Sequence, residues 1–100
     1  MLKILELTKD ELKVSQENYI LVDVREAYEL EGPEGKIEGI LRATLGNELS
    51  LFLKSADKTK SYVFICRSGY RSGKACELAY AYGIPNAYNL KGGMLAWNEK

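Results

Sequence analysis

The sequence predicts an α/β domain built on a mainly parallel sheet. Short apolar, β-type runs alternate with helical patterns from one end of the chain to the other, the order that gives parallel strands joined by helices. One run, Tyr19-Ile20-Leu21-Val22-Asp23-Val24, is apolar at nearly every position rather than at every second one. That is the pattern of a strand covered on both faces. With 100 residues, 46% hydrophobic and 28% charged, the chain is read as one globular domain over residues 1–100 that buries roughly two-thirds of its unfolded surface.

Each element has a local reason. Residues 4–7 are short and apolar enough for a first strand. Thr8-Lys9-Asp10-Glu11 is a capping-box pattern, opening a helix expected to run to about Ser15. Residues 19–24 form the second strand, and residues 25–30 a short helix. Gly32-Pro33-Glu34-Gly35-Lys36 is a loop by its glycine and proline content. Residues 39–43 are read as a third strand, and Asn47 as the cap of a helix through Leu53. Residues 61–65 form a strand. The helix expected from Ser72 carries Ala75, Leu78, Ala79 and Tyr82 at i, i+3, i+4 and i+7. It ends at Tyr82-Gly83-Ile84-Pro85, a glycine cap followed by a proline stop. Residues 87–90 are the last strand, and Gly92-Gly93 lead into a short helix carrying Trp97, read as core.

Composition narrows the function. Lys and Arg total 14, Asp and Glu total 14, so no bulk charge favours nucleic acid or a membrane surface. No apolar run approaches the ~20 residues that span a bilayer. Met1-Leu2-Lys3-Ile4-Leu5-Glu6 meets an acid too early for a secretory leader, which points to the cytoplasm. Two cysteines, Cys66 and Cys76, cannot build a disulfide framework. The chain has no histidine, which removes a Cys–His pair, a His-based triad and the common zinc sites, and no cofactor is implied.

The chemistry concentrates in Cys66-Arg67-Ser68-Gly69-Tyr70-Arg71-Ser72, between a buried strand and a helix. In open α/β sheets ligands bind outside the carboxyl ends of the strands. Amides of the turn and the helix start point at an anion, and two arginines flank the cysteine. Such surroundings favour thiolate over thiol and pull the pKa below the free value of about 8.5. A free cysteine is more often a small, inert core residue, and that reading is preferred for Cys76, with a resolving thiol as its alternative. For Cys66 the arginines and the turn favour the nucleophile.

Four motifs make the chain similar to single-domain rhodaneses, the thiosulfate sulfurtransferase-like family. Leu21-Val22-Asp23-Val24-Arg25-Glu26 resembles the family's LDVRE strand end, and Gly35-Lys36-Ile37-Glu38-Gly39-Ile40 resembles GHIPGA, with Lys36 in place of His and Ile40 in place of Ala. Cys66 to Ser72 resembles CRSGxRS, and Gly92-Gly93-Met94-Leu95-Ala96-Trp97 resembles GGxxAW. The resemblance implies an open parallel five-stranded sheet flanked by helices, and a sulfane sulfur passed through a Cys66 persulfide.

On this reading Cys66 is catalytic. Arg71, Arg67, Ser68, Gly69 and Tyr70 bind a small anionic sulfur donor, thiosulfate or a persulfide. Arg71, at the helix start, is the stronger candidate to hold the anion; Arg67 either joins it or faces solvent. Tyr70 shapes the entrance or is simply exposed. The resemblance places Arg25 against the anion or behind the loop; an ordinary ion pair with Asp23 is the alternative. Asp23, Ser72, Gly92 and Gly93 support the site. The acceptor is cyanide, a small thiol or a protein thiol. Three other readings compete: a persulfide carrier feeding a partner enzyme, a non-catalytic binding module, and a cysteine phosphatase or arsenate reductase. The cysteine phosphatases carry Cys-x5-Arg, whereas Cys66 and Arg71 are spaced Cys-x4-Arg.

Overall fold

The computed structural model of the chain describes residues 3–99. Met1 and Leu2, which open the leader argument, and Lys100 lie outside the described residues. Five strands, β1 (Leu5–Leu7), β2 (Ile20–Asp23), β3 (Leu41–Arg42), β4 (Tyr62–Ile65) and β5 (Ala87–Leu90), form one sheet in the order β1-β5-β4-β2-β3. Every pairing is parallel. Among the described residues four α-helices flank the sheet: α1 (Lys9–Lys13), α2 (Asn47–Ser55) and α3 (Tyr70–Ala81) lie between strands, and α4 (Gly93–Trp97) follows β5. This is the five-stranded parallel sheet with flanking helices that the motifs imply.

Strand β4 is the middle of the sheet and is buried at every position. Its side chains alternate between faces, as pleating requires. Tyr62 and Phe64 pack with Leu49 and Leu53 of α2 and with Ala75, Cys76 and Ala79 of α3. Val63 and Ile65 pack with Leu12 of α1 and Met94 of α4 on the other face. Each fully buried Leu, Ile or Phe contributes roughly 1.5–3 kcal/mol, so the two layers fix which way β4 faces and hence where Cys66 emerges.

Several boundaries differ from the sequence reading for local reasons. Helix α3 starts at Tyr70 rather than Ser72, because Gly69 turns the chain in the left-handed region (φ 104°) and its carbonyl accepts the Gly73 amide at 3.1 Å. With two more residues at its start, about half a turn, α3 buries Ser72, Gly73, Ala75, Cys76 and Ala79. Leu78 and Tyr82 only rim that core. These small residues let the helix lie close on the sheet. Asn47 is the first residue of α2, not its cap; Gly46 precedes it at φ 123° and no side chain caps the helix. Helix α1 does have its capping box, with the Glu11 amide donating to Thr8 Oγ1 and the Thr8 amide to Glu11 Oε1. It stops at Lys13, where the Ser15 amide tightens back onto Leu12. The helix expected at residues 25–30 is a 3-10 segment, Ala27–Glu31. Edge strand β3 is two exposed residues long. Trp97, read as core, is half-buried, with the Lys13 ammonium 4.8 Å from its ring.

Among the described residues no helix is long and apolar enough to cross a membrane. The carboxyl ends of β2, β4 and β5 lie side by side, and they lead directly into Val24-Arg25, Cys66 and Lys91-Gly92.

Candidate active site

Cys66 is the first residue beyond the buried central strand, and only 1% of its surface is exposed. The chain leaves the sheet there, turns at Gly69 and enters α3, so the loop closes over the sulfur. The Gly69 amide donates to Cys66 Sγ at 3.0 Å. Ser72 Oγ lies 3.3 Å from the same atom. Burial pushes the Cys66 thiol up. The Ser72 hydroxyl and the amides of Ser72, Gly69 and Ser68 outweigh it, and the pKa is lowered overall. Donors aimed at the charged form are what make a cysteine reactive in a buried place.

The loop is held from below. The amides of Met94 and Leu95 donate to the carbonyls of Cys66 and Arg67 at 2.9 and 3.0 Å. Gly93 (φ 59°) is required here, since a Cβ would stand 2.4 Å from the Cys66 carbonyl oxygen. Gly92 (φ 76°) also stands in the left-handed region, where its Cβ would meet that of Ala96 at 2.7 Å. From the side, Asn89 at the end of β5 donates through Nδ2 to the Gly69 carbonyl at 3.0 Å, and its Oδ1 receives Ser72 Oγ. Ser72 is fully buried and has one hydroxyl proton, so Asn89 Oδ1 and Cys66 Sγ share a single donor.

The arginines are less free than the sequence suggests. Arg71 holds the Glu29 carboxylate with both terminal nitrogens, at 2.7 and 2.9 Å. This fork-to-fork pair holds the Glu29 carboxyl down at about 2, chiefly through the Arg71 hydrogen bonds. The Arg71 pKa is raised, first by Glu29 and in a smaller part by the Cys66 charge. Arg25 is fully buried. It forks onto Asp23 (Nε–Oδ1 2.9 Å, Nη2–Oδ2 2.7 Å) and donates to the carbonyls of Gly35 at 2.8 Å and Glu29 at 3.3 Å. Its geometry is that of an ion pair that ties strand β2 to the segment carrying Glu29. Arg67 is half-exposed and 3.6 Å from Glu34. Ser68 and Tyr70 are exposed, and the Lys74 ammonium lies 5.6 Å from the Tyr70 ring.

The structure therefore brings Cys66, Gly69, Ser72, Gly92 and Gly93 together, sets Arg71 at the rim in a pair, turns Arg67, Ser68 and Tyr70 outward, and puts Arg25 and Asp23 behind the loop. Sequence reasoning missed Glu29 and Asn89. The spacing of Glu29, four residues past Arg25, and a lone amide in the run Ala87-Tyr88-Asn89-Leu90 were the available signals. Cys76 lies fully buried in the core, where burial pushes its thiol up to about 12. Among the described residues no group of three or more His, Cys, Asp or Glu side chains could hold a metal ion.

The chain is similar to known proteins over most of its length. Residues 8–100 match the family described as Rhodanese-like domain. The chain is 38% identical over 89 residues to the Bacillus subtilis protein named "Putative sulfurtransferase YtwF", covering 89% of this chain and 82% of that one. It is 32% identical over 81 residues to a protein of Allochromatium vinosum named "Sulfurtransferase", covering 81% and 73%. A rhodanese-like domain protein from Staphylococcus aureus superimposes with a TM-score of 0.83 at 32% identity, covering 97% of this chain and 94% of that one. Sequence match, relatives and fold agree: the chain belongs to the rhodanese-like domain family, which includes sulfurtransferases.

Proposed function

We propose that this protein is a sulfurtransferase that carries one sulfane sulfur as a persulfide on Cys66. The observation that supports it best is the Gly69 amide at 3.0 Å from Cys66 Sγ, inside a loop whose other amides also favour the thiolate. The thiolate attacks the outer sulfur of thiosulfate or a similar donor. A new S–S bond forms, the bond between the sulfane sulfur and the sulfonyl sulfur breaks, and its electron pair leaves with sulfite. The terminal sulfur of the persulfide carries the negative charge, and the loop amides hold it as they held the thiolate. Cyanide or a thiol then takes that sulfur and returns Cys66 to the thiolate. Arg71 positions the anionic end of the donor. A persulfide carrier that hands its sulfur to a protein thiol uses the same first step. The free, low-pKa thiol suits a reducing, cytoplasmic compartment.

The phosphatase reading has less support, because the Cys-x4-Arg loop is one residue shorter than the Cys-x5-Arg of the cysteine phosphatases. Steady-state kinetics with thiosulfate and cyanide test the proposal. A double-displacement pattern, lost in Cys66→Ser, is expected; a pattern requiring both substrates bound at once argues against it. A chain that gains no sulfur from any donor is a binding module instead.

A further inference from the structure

Three arginines surround the Cys66 loop, and each faces a carboxylate: Arg25 with Asp23, Arg71 with Glu29, and Arg67 more loosely with Glu34. The formal charges of these six side chains cancel. Arg71 matters most, since it opens the helix beside Cys66 and responds to the Cys66 charge. Both of its terminal nitrogens already hold a planar oxyanion that the chain supplies. That is the bidentate geometry a sulfonate would take. A donor must displace Glu29 or bind beside it, and each added negative charge on the donor meets a fixed carboxylate. Tyr28 and Tyr70, the chain neighbours of Glu29 and Arg71, are 76% and 73% exposed.

We propose that Glu29 is a specificity-determining residue, a built-in counter-anion on Arg71 that turns the site away from the thiosulfate dianion and toward sulfane-sulfur donors of lower charge that carry an organic group. This inference rests on the sulfurtransferase reading. Methanethiosulfonate probes it, because it presents the same outer sulfur with a methyl group in place of one oxyanion. The Cys66 thiolate attacks that sulfur, the bond to the sulfonyl sulfur breaks, and methanesulfinate leaves with the electron pair.

The test is the rate of Cys66 persulfide formation with each donor, in the wild type, Glu29→Gln and Glu29→Asp. Glu29→Gln should raise kcat/KM for thiosulfate roughly ten-fold, through KM, as expected for removing one like charge at close range. The methanethiosulfonate rate should change less than about three-fold on the same argument. Glu29→Asp keeps the charge and should keep the wild-type preference. The six side-chain charges cancel and the Cys66 thiolate leaves the site one net negative charge, so in the wild type added salt should lower the thiosulfate KM by screening repulsion; a net cationic site would show the opposite. That arm decides the matter even where Glu29→Gln folds poorly. Equal effects on both donors, or a thiosulfate KM that rises with salt, overturn the role of Glu29 and leave the sulfurtransferase intact. Failure of both donors to load Cys66 in the wild type overturns both proposals.

Discussion

Gly93 lies directly against the carbonyl of Cys66, so close that no side chain fits between them. A Cβ at position 93 would stand 2.4 Å from the Cys66 oxygen and 2.6 Å from the Arg67 carbonyl carbon and oxygen. The two residues are far apart in the chain, and the contact explains why a cysteine loop and a distant glycine pair form one motif. The first turn of α4 is the floor of the cradle.

Gly93→Ala should therefore damage the site and the fold together. The clash is with backbone, which cannot rotate away, and the left-handed φ adds strain. Overpacking of this kind costs about 1–3 kcal/mol. The urea midpoint should fall and sulfur loading should slow. Gly92→Ala meets the Ala96 methyl rather than the loop, and its sulfur loading should suffer less. Equal loading by Gly93→Ala and the wild type would show that the floor does not hold the loop.

Ser72→Ala removes the side-chain donor to Cys66 Sγ. The Cys66 titration should move up, read as thiolate absorbance against a Cys66→Ser blank. Sulfur loading near neutral pH should fall roughly ten-fold, the worth of one hydrogen bond to a charged group. Asn89→Ala acts less directly, by freeing Gly69 and Ser72. An unmoved titration in Ser72→Ala would assign the whole activation to the amides.

The Glu29–Arg71 pair makes a pH-dependent contribution to stability. The Glu29 carboxyl is lowered from 4.5 to about 2 in the folded chain. A depressed carboxyl stabilises the fold above its unfolded value and loses that contribution as pH falls through the folded one. The melting-temperature advantage of the wild type over Glu29→Gln should be constant above pH 4.5 and shrink between about 4.5 and 2. A difference independent of pH across that window would mean the pair is not formed.

Asp23 and Arg25 are both fully buried and depend on one another. Asp23→Asn leaves the Arg25 cation buried without a counter-charge, a loss of about 3–5 kcal/mol. The segment at residues 25–35, tied through the Gly35 and Glu29 carbonyls, should gain fast amide exchange. Protection unchanged in that segment would show that Arg25 does not hold it.

Much of this was legible in the sequence because backbone chemistry wrote it there. The continuous apolarity of residues 19–24 and 62–65 reports burial on both faces, and the loop from Cys66 to Ser72 carries its turn in Gly69. The charge balance was not legible. Arg67 and Arg71 read as free cations beside a thiol, and nothing local says that a carboxylate 42 residues earlier reaches Arg71. Asn89 was hidden for the same reason. Its strand pattern reads as apolar, and only the sheet order sets β5 beside the loop. Helical periodicity shows where apolar residues recur and suggests a start for α3 at Ser72, whereas the positive φ of Gly69 decides where the helix begins.

Intact mass tests the central claim most directly. The protein is incubated with thiosulfate or methanethiosulfonate, freed of excess donor, and weighed before and after dithiothreitol. The wild type and Cys76→Ser should each gain the mass of one sulfur, fully reversed by dithiothreitol, and Cys66→Ser should gain none. A sulfur retained by Cys66→Ser, or lost in Cys76→Ser, would contradict the assignment of the persulfide to Cys66.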